Sequence, residues 1–363
     1  MSHTNQRYIA YIGTYTQGES EGIYAFDVNT ETGQLEGKGV SARLENPSYL
    51  AIDKKNRYLY SVMETDHFNG TPSGAVAAFA IHRQTGNLTP LNFESTKGQV
   101  PCHITTDSFN RFLFAANYRD GNVSAFPLNA DGSLGPVSTI IQHQGSGPNK
   151  ERQERAHAHF VSLTPEENYL CAVDLGIDKI MVYQFDPAAG SLTLDEKRSA
   201  AIRPGSGPRH LAFHPNGKFV YLVNELSSDV VFLKYSIDFT FTAEQYISTL
   251  PEGYAGTNTC AAIHVSPDGR YLYASNRGHD SIAIYRIDAQ TGKLEFVAHT
   301  PTDGKDPRDF AIDPTGKYLY AANQNSDTIV SFAIHQETGE LQPLGQVISV
   351  PSPVCIKFVP LDE

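Results

Sequence analysis

Hydrophobic and polar positions alternate along this chain in a pattern that recurs every 47 to 57 residues. Each repeat has a short apolar run, a polar turn of four residues, and a second apolar run that begins with an aromatic residue. The six aromatic residues that lead the second run are Tyr58, Phe112, Tyr169, Phe219, Tyr271 and Tyr318. A repeat of this length is typical of a solenoid or a propeller, whose units bury their hydrophobic faces against one another.

Each repeat reads as four short strands. In the fifth repeat, runs with period-two alternation and β-branched or aromatic residues begin at Ala261, Tyr271, Ser281 and Leu294. The turn before the fourth run recurs along the chain as ETGQL, QTGNL, ADGSL, AAGSL, QTGKL and ETGEL, in which glycine supplies the positive φ of a tight hairpin. No segment has the period of an amphipathic helix. Four antiparallel strands per repeat predict the blade of an all-β propeller.

The two ends of the chain predict a closed ring. The C-terminal SPVCIKFVP (Ser352–Pro360) matches only the first strand of a repeat, and the segment from Arg7 to Ile12 matches only a second strand. The segment from Gly22 to Leu44 then supplies the third and fourth strands. The C-terminal strand is therefore expected to join the N-terminal blade, which gives seven blades and removes two free sheet edges. We expect residues 1–363 to form one domain, since each blade packs on its neighbours.

Charge and composition exclude several functions. The formal net charge is −12 without a basic stripe, so nucleic-acid binding is not expected. No phosphate-binding glycine loop or dinucleotide fingerprint is present, and no cofactor is expected. The longest apolar run is seven residues, Ala75–Ile81, too short to cross a membrane. The start MSHTNQRY lacks the segments of a signal peptide, and four unpaired cysteines favour the cytoplasm. The oligomeric state is left open.

Aligning the repeats on the aromatic leader shows two columns that differ from blade to blade. Ten residues before the leader are Ser48, Cys102, His159, Arg209, Ala261 and Arg308, with Val354 from the tail. Six residues after the leader are Glu64, Tyr118, Leu175, Glu225, Arg277 and Gln324, with Thr14 from the head. The first column opens the innermost strand and the second ends the next, antiparallel strand. Both columns are therefore expected on one rim of the central channel.

The charged members of these columns indicate a small anionic ligand. Arginine offers a planar fork that matches a carboxylate or a phosphate, and the rim holds Arg209, Arg277 and Arg308. His159 or Glu225 is a candidate base beside cations that could hold an oxyanion, which suggests acid–base chemistry on an ester-like carbonyl. An alternative is that Arg277 and Glu225 form a purely structural ion pair.

Other candidates have alternative interpretations. His157 and His159 lie on one face of a strand, as two metal ligands would, but no third ligand is evident and no metal is expected. Cys102 next to His103 could be a nucleophile, yet neighbouring strand residues point to opposite faces, so Cys102 is interpreted as pocket lining. The charged run Lys150–Arg155 reads as a solvated loop. Three further histidines are interpreted as structural: His210, His214 and His264.

Two segments of the chain resemble a known family. GSGPNKERQERAHAHF (Gly145–Phe160) and GSGPRHLAFHPNGKFVYLVNE (Gly205–Glu225) are similar to the seven-bladed lactonase family of bacterial 6-phosphogluconolactonases, which also contains fungal carboxymuconate lactonizing enzymes. HVSPDGRYLYASNRGHDSIAIY (His264–Tyr285) and DPRDFAIDPTGKYLYAANQNSDTI (Asp306–Ile329) extend the resemblance over the whole chain. The resemblance implies catalytic roles for His159, Arg209, Glu225 and Arg277, and no required metal.

These observations lead to three hypotheses of function. The first is hydrolysis of 6-phosphogluconolactone to 6-phosphogluconate in the oxidative pentose phosphate pathway, with substrate-binding roles for Arg308, Glu64, His157, Cys102 and His103. The second is a lactonase or lactonizing enzyme for another anionic lactone, such as a carboxymuconate. The third is a propeller without enzymatic activity that binds a protein or a glycan on one face.

Overall fold

The computed structural model describes residues 6–235 and 240–362. These residues contain six four-stranded antiparallel sheets and one four-stranded sheet with a short fifth strand, which we number as blades 1 to 7 in chain order. Blade 1 has β1 (Tyr8–Thr14), β2 (Gly22–Val28), β3 (Leu35–Arg43) and a C-terminal strand, Pro353–Pro360. Blade 2 has β4 (Leu50–Ile52), β5 (Tyr58–Met63), β8 (Ala75–Ile81) and β9 (Leu88–Ser95), with a small hairpin of β6 (His67–Phe68) and β7 (Thr71–Pro72) between its second and third strands. Blade 3 has β10 (Pro101–Thr106), β11 (Phe112–Asn117), β12 (Asn122–Pro127) and β13 (Thr139–Gln142).

The remaining blades follow the same order. Blade 4 has β14 (Ala158–Leu163), β15 (Tyr169–Asp174), β16 (Lys179–Asp186) and β17 (Ser191–Leu194), with a short β18 (Ala200–Ala201) on β16. Blade 5 has β19 (Pro208–Phe213), β20 (Phe219–Asn224), β21 (Asp229–Lys234) and β22 (Thr242–Ser248). Blade 6 has β23 (Thr259–Val265), β24 (Tyr271–Arg277), β25 (Ser281–Ile287) and β26 (Leu294–Pro301). Blade 7 has β27 (Pro307–Ile312), β28 (Tyr318–Asn323), β29 (Thr328–Ile334) and β30 (Leu341–Ser349), and the C-terminal strand of blade 1 is β31.

The predicted all-β propeller and its closure are confirmed. β31 pairs with β1, in register from Tyr8 opposite Pro360 to Gly13 opposite Cys355. The innermost strands also contact one another around the ring, since β31 touches both β4 of blade 2 and β27 of blade 7. The described residues contain one helical turn, the 3-10 segment Gln324–Ser326. Residues 1–5, on which the prediction about a signal peptide partly rests, lie outside the described residues.

The core of the described residues lies between the blades. Each of seven hydrophobic clusters joins two adjacent blades; one of them, for example, packs Ile9 and Tyr11 of blade 1 on Leu59 and Phe79 of blade 2. No helix among the described residues is long and apolar enough to cross a membrane. That residues 1–363 form one domain stays a prediction.

The aromatic leader and the hairpin glycine, the two positions that agree between repeats, lie at the blade boundaries. The hairpin glycines of the ETGQL-like turns all have positive φ, for example +72° at Gly33 and +76° at Gly339. Each lies against a residue of the preceding blade, so that Gly339 of blade 7 packs on the Tyr271 ring of blade 6. The Tyr273 hydroxyl of blade 6 also donates to the Gly339 carbonyl at 2.9 Å. The repeated aromatic and glycine positions therefore build the same contact from blade to blade.

Replacing Gly339 with alanine should destabilise the protein more than replacing Gly345 with alanine. Both glycines have φ of +76°, so both variants carry the strain of a left-handed residue, about 1 kcal/mol. A Cβ at Gly339 would overlap the Tyr271 ring, whereas a Cβ at Gly345 would meet nothing within 4 Å. Overpacking should add about 1–3 kcal/mol to the loss at Gly339. Equal losses in the free energy of unfolding, measured by chemical denaturation, would contradict this account of the blade contact.

Candidate active site

A pocket of about 580 Å³ opens at one end of the central channel. Members of both variable columns line it: Glu64, Cys102, Tyr118, His159, Glu225, Arg277 and Arg308. The column positions Leu175, Gln324 and Thr14 are not among the lining residues. Five arginines and four glutamates line the pocket, so the wall is slightly cationic on a chain of net charge −12.

β-Bulges place the first of these columns. The register of the innermost strand shifts at Cys102 in blade 3, at His159 in blade 4, at Arg209 in blade 5 and at Arg308 in blade 7. A bulge inserts one residue that the partner strand does not match, and it redirects the side chain of that residue. The same backbone irregularity in four blades therefore brings four chemically different side chains to one end of the channel.

Glu225 is the centre of an ion-pair network. Its Oε2 accepts from Arg209 Nε at 3.0 Å and lies 3.0 Å from Arg277 Nη2, while its Oε1 accepts from Arg152 Nη2 at 2.5 Å. Glu225 is 3% exposed. Burial alone would raise the pKa of this carboxyl, but the charges of Arg277 and Arg209 outweigh burial and hold its pKa well below the usual range. The alternative of a structural ion pair between Arg277 and Glu225 thus describes a real contact, which lies in the pocket wall.

Arg209 lies beneath the pocket floor. It is 3% exposed and borders a space of about 10 Å³ together with Cys102 and Arg308. Its Nη1 donates to the Ala261 carbonyl at 2.6 Å and approaches His210 Nε2 at 3.2 Å. Burial, followed by the charges of Arg277 and Arg308, lowers the pKa of Arg209 to about 10, which still leaves it protonated at neutral pH.

His159 faces the network with free ring nitrogens. Neither nitrogen has a hydrogen-bond partner in another described residue, and Nδ1 is sealed from solvent while Nε2 is not. Burial, followed by the charge of Arg209, lowers the pKa of His159 well below 6.5. A neutral imidazole is therefore present at neutral pH, with Nε2 accessible from the pocket.

His157 is held by both ring nitrogens. Nδ1 bonds the Tyr118 carbonyl at 2.9 Å and Nε2 bonds the Glu154 carboxylate at 3.0 Å. The ring also stacks on Tyr118 with 4.5 Å between centroids. His157 lines the pocket, but no ring nitrogen is left for a substrate or a metal. Among the described residues, no three His, Cys, Asp or Glu side chains are grouped as a metal site would need.

Asp174 positions the segment that carries both histidines. Its Oδ1 accepts from the backbone nitrogens of His157 at 2.7 Å and Gly176 at 2.9 Å, and its Oδ2 bonds His143 Nδ1 at 2.6 Å. Both side chains of the Asp174–His143 pair are fully buried. This contact fixes the backbone from which His157 and His159 project.

Arg308 and Glu64 also line the pocket. The Arg308 guanidinium lies over the Tyr15 ring, 5.1 Å from its centroid. The Tyr15 hydroxyl donates to Glu64 at 2.9 Å, and Ser48 bonds the same carboxylate. Burial would lower the pKa of Arg308, but Tyr15 and Glu64 raise it above the usual value. Arg308 has no ion pair or hydrogen bond within the described ranges, so its donors are available to a ligand.

The side chains of Cys102 and His103 lie in different cavities, as expected for neighbouring residues of a strand. Cys102 lines the pocket, and its Sγ approaches the His159 carbonyl at 3.4 Å. Burial raises the pKa of this thiol, which opposes a role as nucleophile. The expectation that His103 shares the pocket is corrected by the structure. Its ring packs between Tyr49 and Phe160, 4.1 Å from each centroid, in a different cavity of the channel.

Comparison with known proteins assigns the chain to a family. A family model described as lactonase, 7-bladed beta-propeller, matches residues 9–358. The chain belongs to this lactonase family. It is 43% identical over 354 residues to a 6-phosphogluconolactonase of Bacillus subtilis, covering 97% of this chain and 99% of that protein. A 6-phosphogluconolactonase of Formosa agariphila is 37% identical over 84% of this chain and 86% of its own length.

Solved structures agree with this assignment. A crystal structure from Bacteroides fragilis, described as a candidate 6-phosphogluconolactonase, superposes with a TM-score of 0.92 at 39% identity and covers 99% of both chains. The periplasmic gluconolactonase of Pseudomonas aeruginosa superposes with a TM-score of 0.92 at 35% identity, covering 97% of this chain and 99% of its own. The lactonase fold is therefore shared along nearly the whole chain.

Sequence reasoning missed one residue that lines this pocket and one that lies behind its wall. Arg152 belongs to the run Lys150–Arg155, which was expected to be a solvated loop, yet its guanidinium bonds Glu225 and the Tyr118 hydroxyl. Tyr15 follows the column position Thr14 and contacts two lining residues, Glu64 and Arg308. The motif GSGPNKERQERAHAHF contains Arg152 and was the only signal that could have indicated it.

Proposed function

We propose that this protein hydrolyses 6-phosphogluconolactone to 6-phosphogluconate. The observation that carries the proposal is Arg308, a cation with free donors in the same pocket as the neutral imidazole of His159. A phosphorylated lactone needs both a site for its phosphate and a base near its ester carbonyl. The identity of 43% to a protein named 6-phosphogluconolactonase supports this substrate.

In the proposed reaction, His159 Nε2 takes a proton from the attacking water. The water oxygen forms a bond to the lactone carbonyl carbon, and Arg277, which lines the pocket, stabilises the resulting oxyanion. The bond between that carbon and the ring oxygen then breaks. The imidazolium gives the proton to the ring oxygen, which becomes a hydroxyl group. The carbonyl carbon is now part of a carboxylic acid, which ionises at neutral pH.

Glu225 and Arg209 are assigned a different role from His159. A carboxylate held by three guanidiniums, with its pKa well below the usual range, is a weak base. Glu225 therefore fixes the direction of Arg277, and Arg209 fixes Glu225 from below. Of the two candidate bases that the sequence left open, the contacts favour His159.

The direct test is a rate measurement on freshly prepared 6-phosphogluconolactone, because this lactone also opens spontaneously. Release of acid in a pH-stat should be faster with the purified protein than without it. Unphosphorylated gluconolactone, the substrate in the name of the Pseudomonas relative, and a carboxymuconolactone should react with lower kcat/KM. No acceleration with any lactone would favour a binding propeller, and a preference for the carboxymuconolactone would favour the alternative lactonizing activity.

The rate should stay nearly constant down to mildly acidic pH. The active form of the base is unprotonated, and burial with the charge of Arg209 lowers the pKa of His159 well below 6.5. The fall in kcat/KM on the acid side should therefore begin only below that value. A pH profile corrected for spontaneous hydrolysis measures this, and an acid limb centred above 6.5 would contradict the assigned base.

We also place the protein in the cytoplasm. All four cysteines are buried and unpaired, which suits a reducing compartment. The Pseudomonas relative is named as periplasmic, so membership of the family does not by itself fix the compartment. Cell fractionation with detection of the protein in the periplasmic fraction would contradict this placement.

A further inference from the structure

The opposite end of the channel contains a second cavity of about 410 Å³. The innermost strands run from the substrate pocket towards it, so that β10 contributes Cys102 to the first and His103 to the second. Tyr49, Phe160 and His210 line the second cavity beside His103. A space of only about 10 Å³, bordered by Tyr49 and His210, lies between the two.

The charge of this second cavity differs from that of the protein as a whole. Its lining includes no Asp or Glu, although the chain has 40 acidic residues and a net charge of −12. The one Lys or Arg in the lining is Lys357, from β31. Asp309, which lies nearby, is already engaged by His264 at 3.5 Å and by the Ile356 nitrogen at 3.2 Å.

Hydrogen bonding fixes the tautomer of His103. Its Nδ1 accepts from the backbone nitrogen of Val161 at 3.3 Å, so in the neutral ring the hydrogen must reside on Nε2. Burial, followed by the charge of Lys357, lowers the pKa of His103 well below 6.5 and keeps the ring neutral. Nε2 has no partner in the part of the chain that the structure describes, and it is not sealed from solvent. It is therefore a free donor in the wall of the cavity.

His210 presents a second free donor by the same argument. Its Nε2 lies 3.2 Å from Arg209 Nη1, which can only donate, so the hydrogen of the neutral ring resides on Nδ1. Burial, followed by the charge of Arg209, lowers the pKa of His210 well below 6.5. Within the described residues its Nδ1 has no partner, and it also keeps accessible surface.

Lys357 adds a positive charge beside these two donors. Its Nζ donates to the Tyr49 hydroxyl at 3.3 Å and lies 4.5 Å from the centroid of that ring. Burial would lower the pKa of Lys357, but Tyr49, Cys355 and the nearby Asp309 carboxylate raise it, so the ammonium stays charged. Phe160 supplies apolar surface in the same cavity. One cation, two neutral N–H donors and no lining carboxylate match a ligand with one negative charge.

We propose that the second cavity binds a small monocarboxylate with a flat apolar body, through Lys357, His103 and His210. The carboxylate accepts from Lys357 Nζ, His103 Nε2 and His210 Nδ1, and the apolar body lies against Phe160. This site is separate from the pocket that holds His159 and Arg308. It does not depend on the identity of the lactone.

Benzoate is the probe for this site, with benzyl alcohol as its uncharged counterpart. Calorimetric titration of the full-length protein at neutral pH should give a dissociation constant on the order of 1 mM for benzoate, as expected for a ligand of this size. Benzyl alcohol should not saturate. Lys357→Met should weaken benzoate binding at least about tenfold, because it removes a charged hydrogen bond. Lys357→Arg keeps a charged donor at this position and should retain most of the binding.

The controls separate this site from the substrate pocket. Arg308→Met should bind benzoate as the unchanged protein does, and Lys357→Met should retain full lactone hydrolysis and an unchanged unfolding transition. If Lys357→Met does not fold, His103→Phe tests the same site and should also lose benzoate. Absence of saturable binding, equal binding by Lys357→Met, or loss of binding in Arg308→Met instead would overturn the proposal.

Discussion

Replacing His159 with glutamine is expected to lower kcat about a thousandfold, with little change in the unfolding temperature. Loss of a positioned base typically costs between a hundredfold and ten-thousandfold. His159 has no hydrogen bond to another described residue through its ring, so few structural contacts are lost. Steady-state kinetics on the fresh lactone, with subtraction of the spontaneous rate, gives the measurement.

The matched control for His159 is the neighbouring histidine of the same motif. His157→Gln should lose about tenfold in rate, because His157 only holds Tyr118 and Glu154 in place. Its pH profile should keep the acid limb of the unchanged protein, whereas any residual activity of His159→Gln should not. A larger loss in His157→Gln than in His159→Gln would reverse the two roles.

Replacing Glu225 with glutamine is expected to destabilise the protein by about 3–5 kcal/mol and to lower kcat about a hundredfold. The substitution leaves the buried Arg209 and the partly buried Arg277 without their shared carboxylate, and breaking a buried ion pair costs about this much. The loss in kcat follows from misplacement of an oxyanion donor. Chemical denaturation and the lactone assay measure the two effects.

The stabilisation by Glu225 should decrease as the pH falls. Its pKa is lowered in the folded protein by Arg277 and Arg209, against the effect of burial. The contribution is therefore present above the pKa of an unfolded glutamate, about 4.3, and is lost as the pH falls through the lower folded value. Glu295→Gln is the control, because Glu295 and its partner Arg286 are both exposed and such pairs contribute less than about 1 kcal/mol. Equal losses from both variants would contradict the network.

The architecture could be predicted because every blade repeats the same physical constraints. Tyr271 and Gly339 belong to different repeats, yet they recur as columns because, at five of the described blade boundaries, an aromatic ring lies against a hairpin glycine of the next blade. The closure was predictable because the C-terminal segment matches one strand of the repeat and the N-terminal segment supplies the others. The order of the strands within each blade, their approximate bounds and their register then follow from the turns that connect them.

The site could be predicted only where it follows the repeat. His159, Arg308 and Cys102 share one alignment column because a bulge occurs at the same point of each innermost strand. Arg152 lies in a loop that has no counterpart in the other blades, so its contact with Glu225 could not be read from the columns. The depth of Arg209 below the pocket depends on neighbouring blades and is likewise not encoded in the repeat.

Arg308, with free donors, and the neutral His159 lie in one pocket, where the proposed function has them act together on a phosphorylated lactone. The most direct test is the ratio of kcat/KM for 6-phosphogluconolactone to that for gluconolactone, in the unchanged protein and in Arg308→Met. The account predicts a ratio well above one that falls at least about tenfold in the variant, with the rate on gluconolactone nearly unchanged. A ratio that is the same in both proteins would contradict it.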